Sequence, residues 1–198
     1  MKFFAKIIFL FLFFHFSFLE SKTTFDCEYF TEKYGKEFKL PNKLLTSISL
    51  VESGIKKKGN YVSWPWTLNV DGRSKYFKGK DQALKFLKEN YLKKKNIDVG
   101  CMQISMKFHS KKFESLEKIL DPESNVKYAA AYLKKLFKKH RTWNEAVSRY
   151  HSSIPERKKK YLQKVHNYWS KLRQKKLPTK PRSRSLNMEK VEYFRKQL

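Results

Sequence analysis

A single carboxylate, Glu52, closes the apolar segment LLTSISLVESG at residues 44–54. Leu44, Ile48 and Val51 recur at i, i+4 and i+7, which sets them on one stripe of a helix. Pro41 fits the first turn with Asn42 nearby, and Gly54 is the usual type of residue just past a helix end. Glu52 then falls in the last turn, where the carbonyls carry partial negative charge and a carboxylate lies against the helix dipole. Partial burial would disfavour its charged form as well. Both effects keep a carboxyl group protonated to higher pH than usual, which is what a general acid needs. Taken alone, the segment more often holds an ordinary exposed glutamate; the rest of the chain changes those odds.

Other residues capable of chemistry are few. Asp98 sits in NIDVGCMQIS at 96–105 and reads as a turn residue. His109, His151 and His166 read as structural or exposed rather than catalytic. Trp143 and Trp169 fall at core positions of helices, and Met102 and Tyr150 also admit a core reading. Cys27 and Cys101 are the only cysteines, and neither has metal-site spacing, so no metal is expected. In an exported chain an even pair favours a disulfide, and closing a loop of that length stabilises by roughly 4 kcal/mol.

The elements that must position these residues read mainly as helices. A short helix is expected at 27–34, ending before Gly35, followed by the Glu52 helix. Residues 61–64 and 74–77 read as strands of one small β-hairpin around the Asn69-Val70-Asp71-Gly72 turn, since Asp-Gly is a strong turn signal. A helix opens at Asp81 with Leu84, Leu87 and Tyr91 at helical spacing. Asp121 is a candidate N-cap with Pro122 at the first helical position, and Val126, Ala129, Ala130, Leu133 and Phe137 form that helix's inner face. Helices at 143–150 and 155–173 follow, the second with Tyr161, Val165, Tyr168 and Leu172 as its stripe.

At 198 residues, with 40% hydrophobic and 16% aromatic residues, the chain supports one domain with a real core and extensions. Lys2 and Lys6 precede an apolar run that is short for a bilayer span, so residues 1–21 read as a secretory signal peptide, with an uncleaved anchor as the alternative. The domain is expected over 25–173 and a basic tail over 174–198. A formal charge of +27 attracts polyanions: nucleic acid, anionic lipid or acidic wall polymers.

SLVESG at 49–54, GCMQIS at 100–105, DPESNVKYAAAYL at 121–133 and AVSRYHSS at 146–153 together resemble the soluble-lytic-transglycosylase (SLT) type of lytic transglycosylase, over about residues 25–170. The resemblance implies a goose-type-lysozyme-like fold, mainly α (α+β), with the hairpin inserted at the cleft. It implies Glu52 as the catalytic acid/base with Ser53 completing a Glu-Ser pair. Gly100, Met102 and Gln103 would line the cleft, and Tyr150 would lie close to the glutamate and orient it. No cofactor is implied. Three departures stand out: Cys101 replaces a residue that is commonly Leu, Ser105 replaces a usual substrate-binding Asn, and His151 replaces a frequent Asn. The segment between Gly54 and Gly100 is longer than in compact members, and its Trp64 and Trp66 are candidate sugar platforms on the cleft wall.

Most glycosidases pair two carboxylates, whereas the resemblance implies one glutamate used twice on peptidoglycan glycan strands, giving 1,6-anhydromuramyl ends without water. The expected setting is the periplasm or cell envelope, with the basic tail on an anionic envelope surface and no specific nucleic acid as partner. General wall turnover and service to a secretion or appendage machine remain open. Two other functions compete: a cationic wall- or nucleic-acid-binding protein without catalysis, and a lysozyme-type hydrolase using a second carboxylate.

Overall fold

The segment that carries Glu52 forms helix α2 (Leu44–Ser53), and Leu44 through Leu50 are all buried, so the helix is enclosed nearly all round rather than along one stripe. Removing Leu44, Leu45 and Ile48 from water contributes roughly 1.5–3 kcal/mol each. The polar residues are tolerated because their hydroxyls are bonded. Ser47 donates to the Lys43 carbonyl at 2.6 Å, and Ser49 and Ser53 both donate to the Cys101 carbonyl, at 3.1 and 2.8 Å. Left unpaired, each buried hydroxyl would cost about 1–3 kcal/mol. Pro41 lies before the helix, not in its first turn: its carbonyl accepts from Leu44, and Lys43 takes a left-handed conformation at φ 64°.

The structure is a computed structural model describing residues 26–57, 59–94 and 96–174. The leader expected at 1–21 lies outside the described residues, as does the expected tail beyond Gln174.

Gly54 ends α2 in ordinary extended backbone, so space rather than conformation requires glycine there. A Cβ would collide with the Leu50 carbonyl oxygen and the Tyr61 ring. The chain passes directly into strand β1 (Gly54–Lys57), which pairs antiparallel with β2 (Asn60–Ser63). The single expected hairpin is therefore two. Residues 61–64 do not pair across the Asp71-Gly72 turn; β3 (Thr67–Val70) does, with β4 (Arg73–Tyr76). The turn was legible because Asp71 (φ 50°) and Gly72 (φ 85°) both need positive φ. Its strand partner differs from expectation because the aromatic run at 61–64 carries a stronger β signal than Thr67-Leu68-Asn69-Val70.

Strands β5 (Ile97–Val99) and β6 (Ile104–Ser105) complete a four-stranded antiparallel sheet in the order β4-β3-β5-β6. Its register sets Asn69 opposite Asp98 and Asp98 opposite Ser105. Alternation then turns Leu68, Val70, Ile97, Val99 and Ile104 to the core and the polar set to the other face. Asp98 is thus a strand residue, not the turn residue expected.

The remaining helices wrap α2 and the sheet. Helix α1 (Cys27–Glu37) runs through Gly35 instead of stopping before it. Then come α3 (Lys80–Asn90), α4 (Met106–His109), α5 (Leu116–Leu120), α6 (Pro122–His140), α7 (Trp143–His151) and α8 (Pro155–Gln174). Asp121 caps α6 by accepting from the Ser124 N–H at 2.9 Å, with Pro122 at its start as expected, and Thr142 caps α7. Glu123 accepts from Lys33 and Tyr34 of α1, and Glu145 binds Lys158 of α8. A disulfide joins Cys27 of α1 to Cys101, with Cα atoms 5.6 Å apart. The architecture is mainly α with small antiparallel sheets, as the sequence predicts.

Candidate active site

Glu52 stands in the last turn of α2, partly buried, where α8 crosses that helix. The Tyr161 hydroxyl of α8 donates to Glu52 Oε1 at 2.5 Å. Burial pushes the Glu52 carboxyl up to about 7; the Tyr161 bond opposes that rise, the Asp98 charge adds to it, and Lys164 opposes it weakly. Desolvation therefore dominates, and the carboxyl is half protonated near neutral pH, as general acid catalysis requires. Tyr161 itself is buried, and its phenol is held well above the usual range by burial and by the neighbouring Glu52 charge.

The second wall of the candidate site is the sheet. Asp98, partly buried on β5, is raised by desolvation and hydrogen-bonded by Ser105 across the strand pair. Its charge raises the Glu52 pKa further, so the two carboxyls are electrostatically coupled. The departure from Asn at position 105 thus has a local consequence: the serine hydroxyl is engaged with Asp98.

Between the walls runs the Gly100–Gln103 turn, held by partners far away in sequence. Gly100 takes φ 79°, and a Cβ there would lie 2.8 Å from Asn125 Nδ2, so only glycine fits. Asn125, fully buried on α6, accepts from the Met102 N–H at 2.9 Å and donates to the Val99 and Ile119 carbonyls at 2.9 and 2.8 Å. Gln103 has a left-handed backbone (φ 47°), and its side-chain amide donates to the Gly100 and Thr67 carbonyls at 3.0 and 3.2 Å. The Cys101 carbonyl receives Ser49 and Ser53 of α2, and its sulfur is bridged to α1. Cysteine in place of the common leucine is explained by that bridge. Ser53 acts here by locking this turn onto the helix end that carries Glu52.

Tyr150 of α7 differs from expectation in its bond. Its hydroxyl donates to the Met102 carbonyl at 2.8 Å and not to Glu52, although it lies within the field of the Glu52 charge. The hydroxyl that touches the carboxyl belongs to Tyr161, which the helical stripe of α8 marked only as a core residue. The available signal was chemical: a tyrosine on a buried stripe needs a partner for its O–H. Which partner is a tertiary fact. Asn125 was missed for the same reason. His151, exposed on α7, stacks face to face on Tyr161 with ring centres 4.4 Å apart and planes within 3°. Trp64 donates its indole N–H to the Phe77 carbonyl at 2.8 Å while Lys57 covers the ring at 3.9 Å, and Trp66 packs against the core. The Trp64 indole is therefore engaged in holding the β segment together, and the Trp66 side chain is engaged with the core.

Comparison with curated proteins and with solved structures returns no significant match. Residues 29–172 match the family described as the transglycosylase SLT domain, a span running from α1 to α8 that contains Glu52, Asp98, the Gly100–Gln103 turn, Asn125, Tyr150 and Tyr161. With that span covering most of its length, the chain belongs to the transglycosylase SLT domain family, whose members act on peptidoglycan glycan strands.

Proposed function

We propose that this chain is a peptidoglycan lytic transglycosylase that cleaves the bond between N-acetylmuramic acid and N-acetylglucosamine, with Glu52 as acid and then base. The observation that carries this reading is the Glu52–Tyr161 pair: a carboxyl held at about 7 by burial, with a buried hydroxyl aimed at one of its oxygens. Protonated Glu52 gives its proton to the glycosidic oxygen; the C1–O bond breaks with its electrons passing to that oxygen, and the N-acetylglucosamine end departs as an alcohol. The muramyl acetamido oxygen stabilises the cation at C1. The Glu52 carboxylate then removes the proton of the 6-hydroxyl as that oxygen bonds to C1, closing the 1,6-anhydro ring and restoring the acid. Proton and electrons balance without water.

In this reading Gln103 and Ser105 form the floor beneath the bond that breaks, over the buried Gly100 and Met102, which underlie it instead of facing the substrate, with Ser53 fixing the floor to α2 and Tyr150 fixing it to α7. Trp64 and Trp66 belong to the outer wall. The substrate implies work in the cell envelope outside the cytoplasm, after removal of the leader, with basic residues favouring an anionic surface.

One observation favours a second reading, a hydrolase. Asp98 shares the site with Glu52, and a second carboxylate is what activation of water requires. Mass spectrometry of digested peptidoglycan separates the two. Anhydromuramyl ends are expected; reducing ends would replace the lyase reading with the hydrolytic one.

A further inference from the structure

The phenol that touches Glu52 has a second ring laid against it. Tyr161 is only 4% exposed, whereas His151, the last residue of α7, is exposed. The two rings lie face to face, with centres 4.4 Å apart and planes within 3°. The imidazole is therefore the outer layer over the Tyr161 ring. Its place is fixed by a tight connection: residues 152–154 turn the chain from α7 into α8, and Ser152 accepts from the Ile154 N–H at 3.1 Å. His151 is also a departure from the family pattern, in which asparagine is frequent at this position. An asparagine amide covers less of a six-membered ring than an imidazole does.

We propose that His151 is a positioning residue: its ring seals the outer face of Tyr161 and keeps water out of the Tyr161–Glu52 pair. This rests on Glu52 acting as the acid and holds for a lyase and a hydrolase alike. Burial is the largest cause of the raised Glu52 carboxyl, so a layer that excludes water acts on the very proton the site would donate. The cover adds no opposing charge near neutral pH. Desolvation, followed by the cations of Lys164 and Arg157 on α8, lowers the His151 pKa, so the imidazole is neutral there. The other charges felt at Glu52 are Asp98, on β5, and Lys164. Removing the ring has two opposed consequences: a looser phenol bond raises the carboxyl pKa, and entry of water lowers it. Desolvation outweighs the Tyr161 bond at Glu52, so the second prevails.

The test reads the Glu52 titration midpoint by carboxyl carbon NMR, alongside turnover of purified peptidoglycan across pH, in three variants. His151→Ala should lower the midpoint by about one pH unit, which takes the protonated fraction at pH 7 from about one half to about one tenth. Turnover should then fall about fivefold at pH 7, with the loss shrinking as pH falls. His151→Phe keeps a flat ring over Tyr161 and should restore both readings to within about twofold of the unaltered chain. His166→Ala, a histidine of α8 bonded to Asn144 and away from the stack, should change neither. An unmoved midpoint in His151→Ala would overturn the proposal, as would a midpoint that rises in the manner expected of Tyr161→Phe. Failure of His151→Phe to rescue, or an equal shift in His166→Ala, would overturn it as well. Undiminished digestion by Glu52→Gln would instead defeat the acid reading, whereas the midpoints, read without turnover, test the cover by themselves.

Discussion

The two walls of the cleft are built by different physics. On the helical wall, Glu52 sits on the enclosed helix α2 and Tyr161 on the buried stripe of α8, and a single 2.5 Å hydrogen bond joins them. On the sheet wall, the strands are two to four residues long and the Gly100–Gln103 turn has two positive-φ residues. What holds it is a set of distant pins: Asn125 from α6, Ser49 and Ser53 from α2, Tyr150 from α7 and the disulfide from α1. In the proposed mechanism the helical wall supplies the reacting proton and the sheet wall supplies shape. Damage to the first should therefore appear in catalysis, and damage to the second in stability.

The largest effect expected is on the helical wall. Glu52→Gln should lower turnover on the order of 10³-fold, measured by release of soluble muropeptides, while binding to sacculi is retained. Undiminished digestion would leave only the non-catalytic binding reading. On the sheet wall, replacing Cys27 and Cys101 together by Ser should lower unfolding free energy by roughly 4 kcal/mol in urea titrations. The sequence separation of 74 residues sets that size. A loss of turnover far beyond the unfolded fraction would break the division of labour.

A pair of substitutions, one from each wall, sharpens the comparison by shifting the same titration in opposite directions. Under the proposed mechanism, catalysis by a protonated Glu52 should decline as pH rises through about 7. Tyr161→Phe removes a bond that favours the charged carboxylate, so this basic limb should move to higher pH, with turnover about tenfold lower. Asp98→Asn removes a charge that disfavours it, so the limb should move to lower pH. Shifts in the same direction would contradict the electrostatic account. The smallest effect concerns stability. The Glu52 pKa is raised from 4.5 to about 7 on folding, so the native state binds the extra proton, and stability falls as pH rises through that interval. Glu52→Gln should therefore gain ~1–2 kcal/mol at pH 8 and nothing below about pH 4.5, as read by thermal unfolding at the two values.

The same contrast governs what could be read from the sequence. Helix α6 announced its cap, its proline and its inner face, and α2 announced its helical character and the position of Glu52, because those signals lie within a few residues of each other. The sheet wall did not. Residues 60–63 pair with 54–57, whose Gly and two Lys give a poor strand signal, and not with the aromatic 74–77, and Asp98 looked like a turn residue because a three-residue strand has too few positions to show alternation. Tyr161 and Asn125 carried helical spacing and nothing more. Their roles depend on a carboxyl and a turn that lie 109 and 23 residues away in the chain. The Cys27–Cys101 bridge was the exception, legible over distance because two cysteines allow only one pairing.

The most direct measurement is the titration of the Glu52 side chain itself, by isotope-edited infrared or carboxyl carbon NMR on the unaltered chain. A midpoint near pH 7 that rises in Tyr161→Phe is the expected result. A midpoint near 4.5, the value of an unperturbed glutamate, would contradict the account, because Glu52 would then have no proton to donate at neutral pH.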